Sequence, residues 1–224
     1  MNRFASTRAA FAVLGLLVAG CATPEALTLT TPPPAHPANV FLDPAFLAAD
    51  LKRVAVLQVS CDSRDSDRLA ARDAFGPVLQ NELIQTRKFE VISVSAEVER
   101  RLTGQPAWNA AELLPEDFFT TLNDHFACDA VLFSELTTFR AYPPLAVGWR
   151  LRLVDTRSHR TLWAVDELFD AADPAVTSAA RRYFRNAQPA PGRSAATADW
   201  VLVNSPRAFG QYAVAEVLNT LPAR

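Results

Sequence analysis

Three cysteines, three histidines and one dense acidic run are the residues of this 224-residue chain that could do chemistry. A thiol offers a nucleophile, a crosslink or a metal ligand. Imidazole offers acid–base work or a ligand. The histidines are scattered: His36 lies in a proline-rich stretch, His125 near a helix end beside Asp124, and His159 in a tight turn. None falls at the close Cys/His spacing of a zinc site. The acidic run "CDSRDSD", residues 61–67, follows an apolar strand, and that is the edge at which α/β folds bind ligands. It is where a small-ligand or enzymatic site would be placed. Its spacing lacks the glycine and closing glutamate of an EF-hand loop, and a solvated, helix-capping loop is the stronger reading. No Gly-x-Ser-x-Gly elbow, phosphate-binding loop or dinucleotide fingerprint occurs, and only seven glycines are present to build one. The chain reads as non-enzymatic, with no catalytic residues, no cofactor and no metal.

The remaining chemistry is at Cys21. Behind Arg3 and Arg8, the apolar run from Ala9 to Gly20 stops at this cysteine. A run of about a dozen residues is a secretory h-region and falls short of the roughly 20 needed to span a bilayer. Val18-Ala19-Gly20-Cys21 resembles the lipobox of bacterial lipoproteins, in which the residue three before the cysteine is usually Leu. The resemblance implies a signal peptide over 1–20 and lipidation of Cys21: a diacylglyceryl thioether, then acylation of the new N-terminus, with palmitate among the chains. Two or three acyl chains, at about 0.8 kcal/mol per buried CH₂, anchor a protein stably. The alternative is a plain secretory signal with a chance cysteine. Ala22, in place of the Asp that retains enterobacterial lipoproteins at the inner membrane, implies the outer membrane, facing the periplasm.

Residues 21–50 then read as lipidated cysteine plus tether. "TTPPPAHP" favours extended polyproline II at about 3.1 Å per residue and packs no core. Residues 51–224 suit a single domain. Without residues 1–20 the chain keeps 20 basic and 24 acidic side chains, which is no basic excess of the kind nucleic-acid binders carry. "RRYFR", 181–185, reads at helical spacing as a solvated face with Tyr183 and Phe184 packed beneath. No nucleic-acid contact is expected.

"KRVAVLQVS", 52–60, is a nearly continuous apolar run, as in a strand buried on both faces. The segment after it has a helical period interrupted at Gly76-Pro77, which predicts either a helix over 77–87 or a longer, kinked one. "FEVIS", 89–93, is a strand; Ser95 caps "SAEVERRL"; Pro115 begins a helix burying Phe118, Phe119, Leu122 and Phe126. Strands follow at 129–139, at 146–155 and at 161–169. In the second of these Trp149, Leu151 and Leu153 alternate with Arg150 and Arg152, so one side of it is wetter. Short links make the three strands an antiparallel meander. Ser205 and Pro206 start a last helix whose stripe includes Phe209, Tyr212, Ala213, Val217 and Leu221. The predicted fold class is α/β with a mixed sheet, in the order β-α-β-α-α-β-β-β, with a C-terminal helix packed on the sheet and a loose insertion at about 171–200. With the first three strands parallel, Cys61 and Cys128 fall at opposite ends of strands some 25 Å apart, so no disulfide joins them.

"RVAVLQV", "FEVIS", "CDAVLFSELTTF" and "WRLRLVDTRSHRTLW" together resemble periplasmic lipoproteins related to the curli secretion protein CsgG, the N-terminal domain of TolB and the lipoprotein activator of a penicillin-binding protein. The likeness covers roughly 52–170 plus the final helix. Its most telling pieces are Asp129-Ala130 and the "LVD" and "LW" that flank the tight turn. It implies a lipid-anchored periplasmic interaction protein in cell-envelope assembly, export or cell-wall regulation. Such a protein binds an envelope partner without catalysis and reaches the membrane through its N-terminal lipid. Some relatives form rings, and the first alternative is an oligomeric ring or pore component of an outer-membrane secretion system. Membrane-spanning hairpins need about 9–11 residues per strand within the bilayer. No such paired strands are legible at 171–200, which speaks against a pore and leaves a soluble homo-oligomer open. A small-ligand binder or enzyme at 61–67 is the second alternative.

Overall fold

The strand β2 (Arg53–Val56) is apolar from Val54 onward because it is covered on both faces. Val54 and Val56 enter one hydrophobic cluster, and Ala55 with the following Leu57 enters another. In this computed structural model, which describes residues 36–43, 47–187 and 204–223, β2 is flanked by two parallel neighbours, β3 (Glu90–Ser93) and β4 (Ala130–Arg140). From β4 the chain turns back into β5 (Ala146–Asp155) and again into β6 (Thr161–Asp170), both antiparallel. A short strand, β1 (Val40–Leu42), pairs antiparallel with β6 at the edge. The sheet has the order β1-β6-β5-β4-β2-β3. The mixed α/β class and the meander are as the sequence predicts; β1 is an addition, drawn from the stretch read as tether. All the described residues lie in one unit, Pro32–Arg224.

The helices are started by their own local chemistry. Asp65 accepts a hydrogen bond from the Arg68 N–H at the head of α1 (Ser66–Thr86), Ser95 does so from Val98 at the head of α2 (Ala96–Thr103), and an uncapped α3 follows at Phe118–Phe126. Helix α1 is the longer of the two forms the sequence allowed, with Pro77 inside it. Helix α3 begins at Phe118, later than Pro115, whose carbonyl instead accepts from the Phe118 N–H. Helix α4 (Pro174–Ala187) occupies the first half of the predicted insertion, and its Tyr183 and Phe184 pack against the core; residues 188–200 lie outside the described residues. Ser205 caps α5 (Pro206–Leu218), with Pro206 in its first turn.

These elements divide the core in two. On one face of the sheet α1, α4 and α5 cover Trp149, Leu151, Leu153, Trp163 and Val165. On the other, α2, α3 and the loop between them cover β2 and β4, where the Phe118 and Phe133 rings stack at 5.7 Å. Cys61 is half-buried and Cys128 buried, both as free thiols. No described helix is long and apolar enough to cross a membrane.

Helices α1 and α5 touch through a glycine. A Cβ at Gly210 would sit 2.3 Å from Cζ and 2.4 Å from Cε1 of Phe75, whose ring is buried against Trp149 and Phe139. Phe75 is 2% exposed, so either the ring or α5 must shift to admit the added carbon. Gly210→Ala should gain about 1 kcal/mol of helix propensity and lose more than that to overpacking, which costs roughly 1–3 kcal/mol. The expected outcome is a lower urea midpoint with an unchanged m-value.

Candidate binding surface

The acidic run at 61–67 is consumed by its own loop. Asp62 accepts from the Arg64 N–H at 3.0 Å, a bond that holds its carboxyl below the usual range. Asp65 caps α1 and pairs with Arg68 at 3.3 Å. This is the solvated capping loop that the sequence favoured. Burial raises the pKa of the neighbouring Cys61 thiol, so it forms thiolate less readily. Between this loop's strand and α1 lies a cavity of about 250 Å³ lined by Gln58, Arg72, Asp73, Pro77 and Gln80. Arg72 is paired with Asp73, and Gln58 donates to the Val94 carbonyl. Among the described residues no group of three or more His, Cys, Asp and Glu is placed to hold a metal.

The histidines occupy three separate settings. His159, at φ +57°, stacks on Phe119 with ring centroids 4.7 Å apart. His125 meets Phe126 edge-on, and His36 lies 3.8 Å from Glu216. Cys21 lies outside the described residues.

One residue escaped the sequence reading. Glu99, in the charged-looking "VERR" of α2, is fully buried. Its Oε2 accepts from the Gln58 N–H at 2.9 Å, just past the end of β2, while Oε1 has no hydrogen-bond partner. Burial pushes its pKa up to about 8, against the opposing pull of the Gln58 and Trp108 backbone N–H groups. One turn later Thr103 donates to the Glu99 carbonyl and accepts from Trp108 Nε1, both at 2.7 Å. This chain of bonds fixes the 104–115 loop. The legible signal was spacing: Glu99 stands three residues before Leu102, on the stripe α2 buries.

That loop borders a part of the sheet that the described helices leave bare. The face of β4 carrying Phe133 is covered by α3, but the same face continues across β5, β6 and β1 with no described helix over it. The register places charged rows there: Glu135–Arg150–Asp166, bonded at 3.1 and 2.8 Å, and Arg140 to Asp170 at 2.8 Å. Between the rows is Leu168, 51% exposed, beside Gly148; Phe41, 51% exposed and beside Ala164, lies on the far side of the Glu135–Arg150–Asp166 row. Gly148 is needed there, since a Cβ would lie 2.5 Å from the Thr137 hydroxyl. A groove of about 220 Å³ runs between Phe41, Ala110, Ala111, Arg152 and Ala164. Arg152 does not point freely into it, because its guanidinium donates to the Thr161 hydroxyl and the Ala110 carbonyl. Leu113, 96% exposed, stands on the bordering loop.

Fold and surface together define a mixed α/β domain with one covered sheet face and one half-bare face. No protein-family model and no curated protein matches the chain. Among solved structures, the PelC dodecamer from Paraburkholderia phytofirmans is 15% identical, over 83% of this chain and 96% of that one, at a TM-score of 0.48. Lipoprotein GNA1162 from Neisseria meningitidis is 21% identical over 53% and 79%, at 0.33. The LpoB C-terminal domain from Escherichia coli is 17% identical over 53% and 82%, at 0.36. At these scores the likenesses carry no argument about what this chain does.

Glu99 makes stability depend on pH. Its carboxyl holds a proton in the folded state up to about pH 8, and in the unfolded state only to about 4.5. Between those values the folded state binds the extra proton, so its contribution falls as pH rises, by roughly 1.4 kcal/mol per unit at most. Glu99→Gln should flatten this part of the profile. Urea midpoints of both proteins between pH 5 and pH 8 check it.

Proposed function

We propose that this protein is a lipid-anchored envelope interaction protein, held through Cys21 in the outer membrane and facing the periplasm. It acts by binding, without catalysis, in envelope assembly, export or cell-wall regulation. The observation that carries the reading is the bare half of the sheet. Apolar side chains at 51% exposure stand there beside rows of mutually neutralised charges, around a groove with a stiffened border. An apolar centre with a polar, charge-paired surround is the anatomy of a protein-binding patch. The polar groups there are engaged with one another and with the backbone, which suits shape recognition better than chemistry on a substrate.

The anchoring is supported by the lipobox-like Val18-Ala19-Gly20-Cys21 and the proline-rich stretch after it. A photo-reactive residue placed at Leu113 in the lipidated chain, in native membranes, should yield a defined adduct with an envelope protein. The adduct should vanish when Leu168→Glu is added, at an unchanged melting temperature, and Cys21→Ala should release the chain from the membrane fraction. A metabolite held in the cavity beside Gln58 and Arg72, seen by native mass spectrometry, would instead establish the small-ligand alternative.

A further inference from the structure

The sheet ends at β1. The hydrogen bonds from the Asp43 N–H to the Leu162 carbonyl and from the Asp166 N–H to the Asn39 carbonyl, with Phe41 opposite Ala164, fix the register at this edge. In an antiparallel pair such groups alternate. Residues 39, 41 and 43 therefore turn their peptide groups toward β6, and Val40 and Leu42 turn theirs outward, where no described strand lies. The edge is short, but it carries no lysine, proline or bulge among residues 40–42. Phe41 is 51% and Leu42 46% exposed.

We propose that two copies of this chain pair through β1, antiparallel, about a two-fold axis at Phe41. The outward groups are symmetric about that residue, so Val40 of each copy exchanges hydrogen bonds with Leu42 of the other, four bonds in all. Phe41 then faces its own mate in a non-hydrogen-bonded pair, with Cα atoms about 4.5 Å apart. The axis stands normal to the sheet. On the helical side Leu42 meets Val40 of the partner copy, so the exposed apolar atoms of the edge cover one another.

Charge favours this occupant over an arbitrary strand. In this register residue 43 of one copy lies opposite residue 39 of the other. Asp43 is paired with Arg160, whose side chain is 68% exposed, while the backbone of Ala38 and Asn39 is held by the Glu167 carboxylate. Each end of the contact thus brings Arg160, which also balances Asp43, toward Glu167 of the other copy, twice by symmetry. Three residues a side bury far less than the roughly 800 Å² per partner of a standing complex, so the pairing depends on co-anchored copies at high effective concentration. The two bare sheet faces become one surface, continuous across the axis. To that extent the inference rests on the lipid anchoring proposed above.

The test uses the lipidated chain in phospholipid vesicles, in a Cys61→Ser background. Mild oxidation of Phe41→Cys should trap a homodimer, and Val40→Cys and Leu42→Cys should trap at least about tenfold less, because same-residue Cα distances there exceed the roughly 7 Å that a disulfide spans. In the unsubstituted chain the Val40 and Leu42 amides should exchange about tenfold more slowly at high protein-to-lipid ratio than at low. Equal trapping at 40, 41 and 42, or exchange that ignores protein density, overturns the pairing. So does a photo-adduct from position 41 in native membranes to a different protein, which would assign the edge to a foreign strand. A Cys21→Ala chain that stays on the vesicles overturns the anchoring; an anchored chain that is not trapped overturns the pairing alone.

Discussion

The register of the whole sheet hangs on Asp129. One carboxylate oxygen takes the N–H groups of Lys52 and Arg53 at 2.8 and 2.9 Å, and its own N–H donates to the Arg53 carbonyl. Its carbonyl receives both the N–H and the hydroxyl of Thr156. Arg157 lies 3.7 Å away and balances the charge. The first residues of β2 and β4 and the end of β5 are thereby tied to one residue. Because side chains alternate with period two, a slip of one residue would send every core residue of these strands to the opposite face. Val54 beside Ala130, and Ala130 beside Asp155, follow from this knot.

With the register fixed, the faces acquire different duties. The face under α1, α4 and α5 receives Trp149, Trp163, Phe209 and Tyr212, all fully or almost fully buried. The other face is sealed only from β3 to β4, by Phe118, Phe133, Trp108 and their neighbours. Past β4 the side chains change from phenylalanine and valine to arginine and acid, and helix cover ends at the same point. The described elements can leave this area bare because the larger core lies elsewhere.

Most of this was legible because it is local. The continuous apolar run of β2, the capping residues Ser95 and Ser205, and the alternation of Arg150 and Arg152 with buried neighbours each follow from a few adjacent residues. What the sequence hid depends on distant partners. Strand β1 is three residues after a proline run, and its mate, Val165, lies more than a hundred positions away. Glu99 sits among charges that read as solvent-facing, and only its packing against β2 shows that it is inside. The choice between two forms of α1 was likewise made by packing: Phe75 comes before Pro77, and its burial against Trp149 needs the longer helix.

The bare face is also protected against indiscriminate use. Arg150 is held from both sides by Glu135 and Asp166, and such exposed pairs add little stability, typically under about 1 kcal/mol. Their effect is on what can approach. A flat apolar surface would have to strip water from an arginine and two carboxylates without replacing their bonds, whereas a partner that offers its own charges in register loses nothing. Leu168 lies between these rows and Phe41 directly beyond the Arg150 row, so apolar contact is open only to a surface that also fits the charges. Selectivity on this face comes from the rows, and affinity from the apolar side chains beside them.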